Sequence, residues 1–467
     1  MKLVDFDNPV RASWLADQGF RLDPGPFISE TYAARMMLRH VSRTEQLGDL
    51  AERIFRPGIF KRHWTGSAEH GVRFLSSADI FEADLSTLPM ITEKSFDSDP
   101  KLPLEPGWTL ITCSGMTAGR VTYARNEMEG YACTQDVLRV VPGADIPGGY
   151  LYTFLASRYG TAMIKGGIYG SSIKHIEPPH LVDIPIPRLG NGIESQIDSL
   201  IQHAMKLRSR YQKGVISATE DLFTSAGLSD LLEYNWHDDR EIGFHVDGVR
   251  SESLRALNFS PRARRLIARI RDVPHRSLGS VCENGLLARG PQFKRIDAAP
   301  GYGVKLVGQR QGFWMRPEGR WVSMSESERR AVQVDDETVL VASTGTLGET
   351  EVYCRAIFAT GSALKNAFTG HFLRIRSGDP AVSNPYLFAF FRSDIAFRLL
   401  RSMSTGGKQQ DIHASFRIEL PIPMCDNESR DRITETVRQS YRRRDEADAL
   451  EDEAMTLLEK AIREAAR

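Results

Sequence analysis

A chain of 467 residues can hold two to four ordinary domains, and its 41% apolar and 26% charged residues are those of a soluble globular protein. Lys plus Arg and Asp plus Glu both number 60, so net charge selects no partner; nucleic acid stays open, because binding depends on where the charge lies. No apolar run approaches the roughly 18 residues that span a bilayer. The acidic start MKLVDFDNP does not read as a signal peptide. Five scattered cysteines (Cys113, Cys133, Cys282, Cys354, Cys425) without a CxxC pair predict no metal site and a reducing cytoplasm.

In chain order, the first elements are GFRLD at 19–23, Leu47-Gly48-Asp49-Leu50, the basic loop RPGIFKRHW at 56–64 and GVRFL at 71–75. The β-like runs TLITCSG and VLRVV follow, separated by Gly- and Pro-rich turns. YLYTFLASRYGTAMI at 150–164 has helical spacing, and the Gly-rich loop GGIYGSS leads to Pro-Ile-Pro at 185–187. Apolar residues then step by three or four through Ile193, Ile197, Leu200, Ala204, Leu207, Tyr211, Val215, Ala218 and Leu222. That is the seam of a long helix, which Gly214 interrupts.

The series then begins again. GFHVD at 243–247, Leu278-Gly279, Phe293-Lys294-Arg295, GVKLV at 303–307, LVASTGTLGETEV at 340–352, YLFAFFRSDIAFRLL at 386–400 and STGGKQQ at 404–410 each match an earlier piece. Pro-Ile-Pro returns at 421–423, and a second seam runs through Ile433, Val437, Tyr441, Ala447, Leu450, Ala454, Leu457 and Ala461. The offset drifts from 224 to 236, as surface loops gain and lose residues. Matches in one order signal duplication. The expected fold is α+β: two similar units related by pseudo-two-fold symmetry, each followed by a long helix. The two helices pair as an antiparallel coiled-coil spacer. The blocks are 1–188, the helix 189–226, 227–424, and the helix 425–467. Ile193, Ile197, Leu200, Ala204, Ile433, Val437, Leu450 and Leu457 are assigned to the helix pair or a partner interface.

No catalytic pattern is present: G-x-S-x-G, HExxH and a complete P-loop are missing, and the histidines do not cluster. SNPYL at 383–387 reads as a helix start with Pro385 in the first turn. What the loops carry is polar and basic. Candidate DNA-binding residues are Arg56, Lys61, Arg62, His63, Lys165, Ser171, Ser172, Lys174 and His175 in the first half. In the second they are Arg289, Gln292, Lys294, Arg295, Lys408, Gln409 and Gln410. Arg and Lys neutralise phosphates, and Arg, Gln and His also read base edges. The stretch Arg255–Arg276 adds seven arginines against one Asp272, a density that asks for an anionic partner or neighbouring carboxylates.

The ordered pair of motifs (GF-x-[LV]-D entry, Leu-Gly, Ser/Thr-Gly hairpin, Gly-rich loop, Pro-Ile-Pro exit, long helix) resembles the specificity subunit of type I restriction-modification systems over nearly the whole chain. The resemblance implies two target recognition domains, each reading one half of a bipartite asymmetric duplex-DNA site. It also implies helices that set the gap and dock methyltransferase subunits, typically two. Those subunits carry S-adenosylmethionine and methylate adenine N6; this chain binds no cofactor and is not itself an enzyme. A motor-nuclease subunit joins where the system cleaves. The first Gly-rich loop, GSSIKHI, has Ile173 where the second has Gln409, so direct contacts are expected to differ between halves. The rival readings are a duplicated protein-binding adaptor of a phage-defence complex without base readout, and a self-contained enzyme with a degenerate site.

Overall fold

The computed structural model describes residues 30–67, 69–168, 175–237 and 253–466, with Leu15, Gly243, His245 and Val246 besides. GFRLD, Phe244 and Asp247 of GFHVD, and Ser171, Ser172 and Lys174 lie outside the described residues.

The Pro-Ile-Pro phrase is a short strand in both halves. Pro185–Pro187 pairs antiparallel with Thr44–Gln46, and Pro421–Pro423 with His275–Ser277, in matching register. Proline cannot donate to a ladder, so it is confined to short, marginal pairings of this kind. The Leu-Gly element docks beside each: the Leu47 N–H donates to the Ile184 carbonyl, and the Leu278 N–H to that of Leu420. A Cβ on Gly48 would lie 3.1 Å from Val182 Cβ, and one on Gly279 3.1 Å from Ile418 Cβ, so glycine gives the chain its close approach there. The Tyr150 hydroxyl donates to the Pro187 carbonyl, and Tyr386 donates to Pro423 at 2.8 Å. A buried hydroxyl and the strand's last carbonyl thus satisfy each other. That shared bond is the physical content of a phrase repeated 236 residues apart.

The sheets repeat as well. In the first half one sheet runs Ala51–Phe55, Val137–Pro142, Thr109–Thr112, Val121–Tyr123, and a second Trp64–Thr65, Met90–Thr92, Gly71–Leu75, Ala132–Cys133. In the second half the orders are Leu286–Arg289, Phe372–Arg376, Thr338–Ala342, Ala356–Ala359, and Ile296–Asp297, Gly319–Ser323, Val304–Val307, Ala367–Phe368. In each case only the last pairing of the second sheet is parallel. Thr109–Thr112 and Thr338–Ala342 are buried along their whole length, which is why they read as apolar runs rather than alternations. Gly148–Ala156 and Arg158–Gly166 match Asn384–Phe391 and Asp394–Ser402. Ser157 and Ser393, at equivalent positions, cap the second helix of each pair by accepting from Gly160 N–H and Ala396 N–H. Asn384–Phe391 starts at SNPYL with Ser383 as its cap and Pro385 in its first turn.

The long helices span Asn191–Ser225 and Asn427–Ala465. The chain divides into two units, and each takes a piece of both helices. One comprises residues up to Phe81, Leu88–Ser209 and those from Glu446 on; the other comprises Glu82–Thr87 and Arg210–Asp445. In the first unit Ile197 and Ala204 share a core with Ala447, Ala454 and Leu458, and Ile193, Leu200, Leu450 and Leu457 pack half-buried against it. In the second unit Val215, Ala218 and Leu222 share a core with Ile433, Val437 and Tyr441. Rising numbers on one helix meet falling numbers on the other, so the pair is antiparallel. Gly214 does not break its helix: a Cβ there would run into Ser440 Oγ, which bonds to the Thr436 carbonyl at 2.7 Å. The glycine costs about 1 kcal/mol of helix propensity and gives the two backbones a close contact.

Within the second unit Asp84 comes from the first half of the sequence. It is ion-paired to Arg392 at 2.8 Å and accepts from Gln212 Nε2 at 2.9 Å. Burial would push its carboxyl up, but Arg392 and the hydrogen bonds from Ser86 and Gln212 hold it well below the usual carboxylate range.

Candidate nucleic-acid interface

The pairing registers fix which residues of the two halves are equivalent. Leu110 faces Arg139 as Leu340 faces Arg374, and Phe55 faces Arg139 as Ala288 faces Arg374. Ser114 bridges to His175 as Thr344 pairs with Asp411. It follows that Arg56 corresponds to Arg289, Ser114 to Thr344, Asp136 to His371, His175 to Asp411 and Glu177 to His413.

These positions meet at one place in each unit. Arg56 forms a two-pronged ion pair with Glu177, at 3.0 and 2.8 Å, and each side chain is about a third exposed. Ser114 donates to Asp136 Oδ1 at 2.8 Å. Arg62 donates to Gln135 Oε1 at 3.1 Å and lies 5.0 Å over the Phe74 ring. In the second unit Arg289 pairs with Asp411 and also donates to Thr344 Oγ1 and the Gly370 carbonyl. Burial, Arg289 and Arg295 all push the His371 imidazole below its ordinary value, favouring the neutral ring. Burial lowers the Arg417 guanidinium while Asp411 opposes it. The Nδ1 atoms of His371 and His413 and Nε of Arg417 are buried without a hydrogen-bond partner.

The remaining sequence candidates fall around these clusters. Lys61 and His63 are exposed beside Arg62, next to the exposed ring of Trp64. Lys165 is exposed in the last turn of its helix, and His175 is half-buried at the bridge to Ser114. Gln292, Lys294 and Arg295 are exposed on the loop after Arg289. Lys408 and Gln409 form the exposed tip of a hairpin between Ser404–Gly406 and Gln410–Ile412. Gln410 is only 5% exposed and is held by Arg255 and the Gly407 carbonyl, so it braces the hairpin from inside.

Five of the seven arginines in the Arg255–Arg276 stretch are met by rings, carboxylates or carbonyls. Arg262 stacks 4.3 Å over Trp236, Arg264 covers Phe259, Arg269 pairs with Asp230 at 2.8 Å, Arg276 pairs with Asp379, and Arg255 donates to the Gly406 carbonyl. Cation–π contacts and local carboxylates disperse the charge that the composition concentrates. Two functional-looking residues escaped the sequence reading altogether. Arg139 and Arg374, at equivalent strand positions, each donate to three backbone carbonyls. The matched Leu-Arg of VLRVV and FLRIR was their only sequence signal.

All five cysteines are buried and unpaired, and burial pushes the Cys113, Cys282 and Cys354 thiols up to about 12. Among the described residues no group of three or more His, Cys, Asp or Glu is arranged to hold a metal ion, and no helix is long and apolar enough to cross a membrane.

No protein-family model matches the sequence, and no curated protein matches it. Among solved structures the chain is similar to the S subunit of the type I restriction-modification system of M. genitalium. The TM-score is 0.37 and the identity 10%, over 91% of this chain and 95% of that one. It is also similar to the HsdS subunit from Thermoanaerobacter tengcongensis, with TM-score 0.27 and 11% identity over 90% and 96%. A third match is a structure described as the basis of complex assembly and conformational transition of the type I R-M system, with TM-score 0.25 and 10% identity over 90% and 97%. Identity of about one residue in ten carries no side-chain role across to this chain.

Proposed function

We propose that this chain is a non-catalytic, sequence-specific DNA-binding subunit. Each unit reads one half of a bipartite, asymmetric duplex site, and the chain directs partner methyltransferase subunits, two in number, to methylate adenine N6 there. S-adenosylmethionine belongs to those partners, and a motor-nuclease subunit joins where the complex cleaves. The observation that carries the reading is the duplication itself: one scaffold occurs twice, and at equivalent loop positions it presents different polar side chains. A scaffold kept while its exposed polar groups change is what two different half-sites require. In this reading Lys61, Lys294 and Lys408 supply phosphate contacts and Gln409 a base-edge contact, which their exposure supports.

Selection from a randomised duplex library with the full chain is the test. The expected product is a two-part motif with a fixed unread gap, and binding that weakens steeply with salt. Replacing Lys408 and Gln409 together with Ala weakens one half-site only. A chain that enriches no sequence and binds without salt dependence is an adaptor, not a reader.

A further inference from the structure

The two clusters at equivalent positions carry different electrical characters. In the first unit Arg56 pairs with Glu177 and feels Asp136 as well, and Arg62 donates to Gln135. In the second, Arg289 pairs with Asp411, Asp411 also acts on Arg417, and the position of Asp136 is held by the imidazole of His371, on which Arg289 and Arg295 act. Asp136 already accepts from Ser114, Thr134 and Gln135, but a carboxylate has about four acceptor sites, so it retains capacity for one more donor. Arg417 has a buried Nε without a partner and feels Asp411 and Arg289, while Arg295 is exposed and acts on His371.

Resting on the DNA reading above, we propose that the clusters select opposite base edges. Asp136 accepts from the exocyclic amino group of cytosine or adenine in one half-site. Arg295 and Arg417 donate to the O6 and N7 acceptors of guanine in the other. Carboxylate–amino and guanidinium–guanine pairings are the complementary ones in the major groove. Arg56 and Arg289 do not read: their carboxylate partners hold them as positioning residues at the base of each cluster.

The experiment is the duplex selection repeated with full-length variants. Asp136→Asn relaxes discrimination at one base pair of the first half-site by roughly fivefold to a hundredfold and leaves the second intact. Arg295→Ala with Arg417→Ala relaxes a guanine in the second half-site and leaves the first intact. His371→Asp, which gives the second unit the first unit's acid, moves the preference at that position from guanine toward a base bearing an amino group. This variant carries the test if Asp136→Asn fails to fold. Unchanged base preferences in variants that still enrich the two-part motif overturn this inference and leave the proposed function standing. No enriched motif from the unmodified chain overturns both.

Discussion

The two units' shares of the helix pair solve one problem in different ways. Arg208 and Arg444 are equivalent, 236 residues apart, and both are buried. Arg208 is held by carboxylates, Glu451 at 2.7 Å and Asp448 at 3.0 Å. Burial lowers its guanidinium, but Glu451 and Asp448 together raise it above its ordinary value. Arg444 instead donates to the Met315 carbonyl at 2.7 Å and that of Trp314 at 3.3 Å, and lies 5.7 Å from the rings of Tyr211 and Tyr441. Those rings meet edge-on at 5.2 Å. Duplication preserved the scaffold while the side chains that fill it diverged in matched sets. The sets are not interchangeable: by equivalence, a first helix paired with its own copy would set Arg208 against Gln212 and Val215 in place of Asp448 and Glu451. The pairing of unlike helices is therefore written into the seam.

The largest effect should come from charging that seam. Ile197→Asp and Ile433→Asp each place an unpaired carboxylate at a fully buried position, one in each unit, at a cost of about 3–5 kcal/mol by denaturant unfolding. Normal stability in either variant would show that its end of the seam is not buried. Next, Arg208→Met strands Asp448 and Glu451 and should cost about 3–5 kcal/mol, whereas Arg444→Met takes the donors from the Met315 and Trp314 carbonyls and should cost about 1–3 kcal/mol. Equal losses would erase the contrast between the two arginine sites. Gly214→Ala forces a methyl group onto Ser440 and should cost about 1–3 kcal/mol, and adding Ser440→Gly should restore most of it. A stabilised single variant, as propensity alone would give, would remove the close approach. The smallest effect is Tyr150→Phe, which loses one hydrogen bond to a Pro-Ile-Pro carbonyl and should cost about 1 kcal/mol, whereas Tyr386→Phe also strips the Cys425 N–H of its acceptor and should cost somewhat more. A Tyr150→Phe loss larger than that of Tyr386→Phe would contradict this.

Much of this architecture was legible in the sequence, because a repeat is read by order and needs no geometry. Pro-Ile-Pro, Leu-Gly and Tyr-Leu are separate weak motifs until one hydroxyl and one strand pairing join them. The antiparallel helix pair followed from two seams that had nothing else long enough to bury them. Gly214 could not be placed correctly, since its reason is a serine 226 residues away. The Arg255–Arg276 stretch left two readings open for the same reason: Trp236, Asp230 and Asp379, which meet part of its charge, are distant in the chain or on other elements. The candidate interface was only half visible. Sequence marks exposed basic loops such as Lys61 and Lys408. The exchanges Asp136 for His371 and Glu177 for His413 emerge only when strand register aligns the halves.

The central claim is that one scaffold, used twice, directs methylation to a split site. The most direct measurement is single-molecule sequencing for N6-methyladenine in a host expressing this chain with its partner methyltransferase, against the same host without this chain. The account predicts a bipartite motif with a fixed unread gap and two different halves, methylated only when the chain is present. Methylation that is identical with and without the chain, from an active methyltransferase and a folded chain, would contradict it.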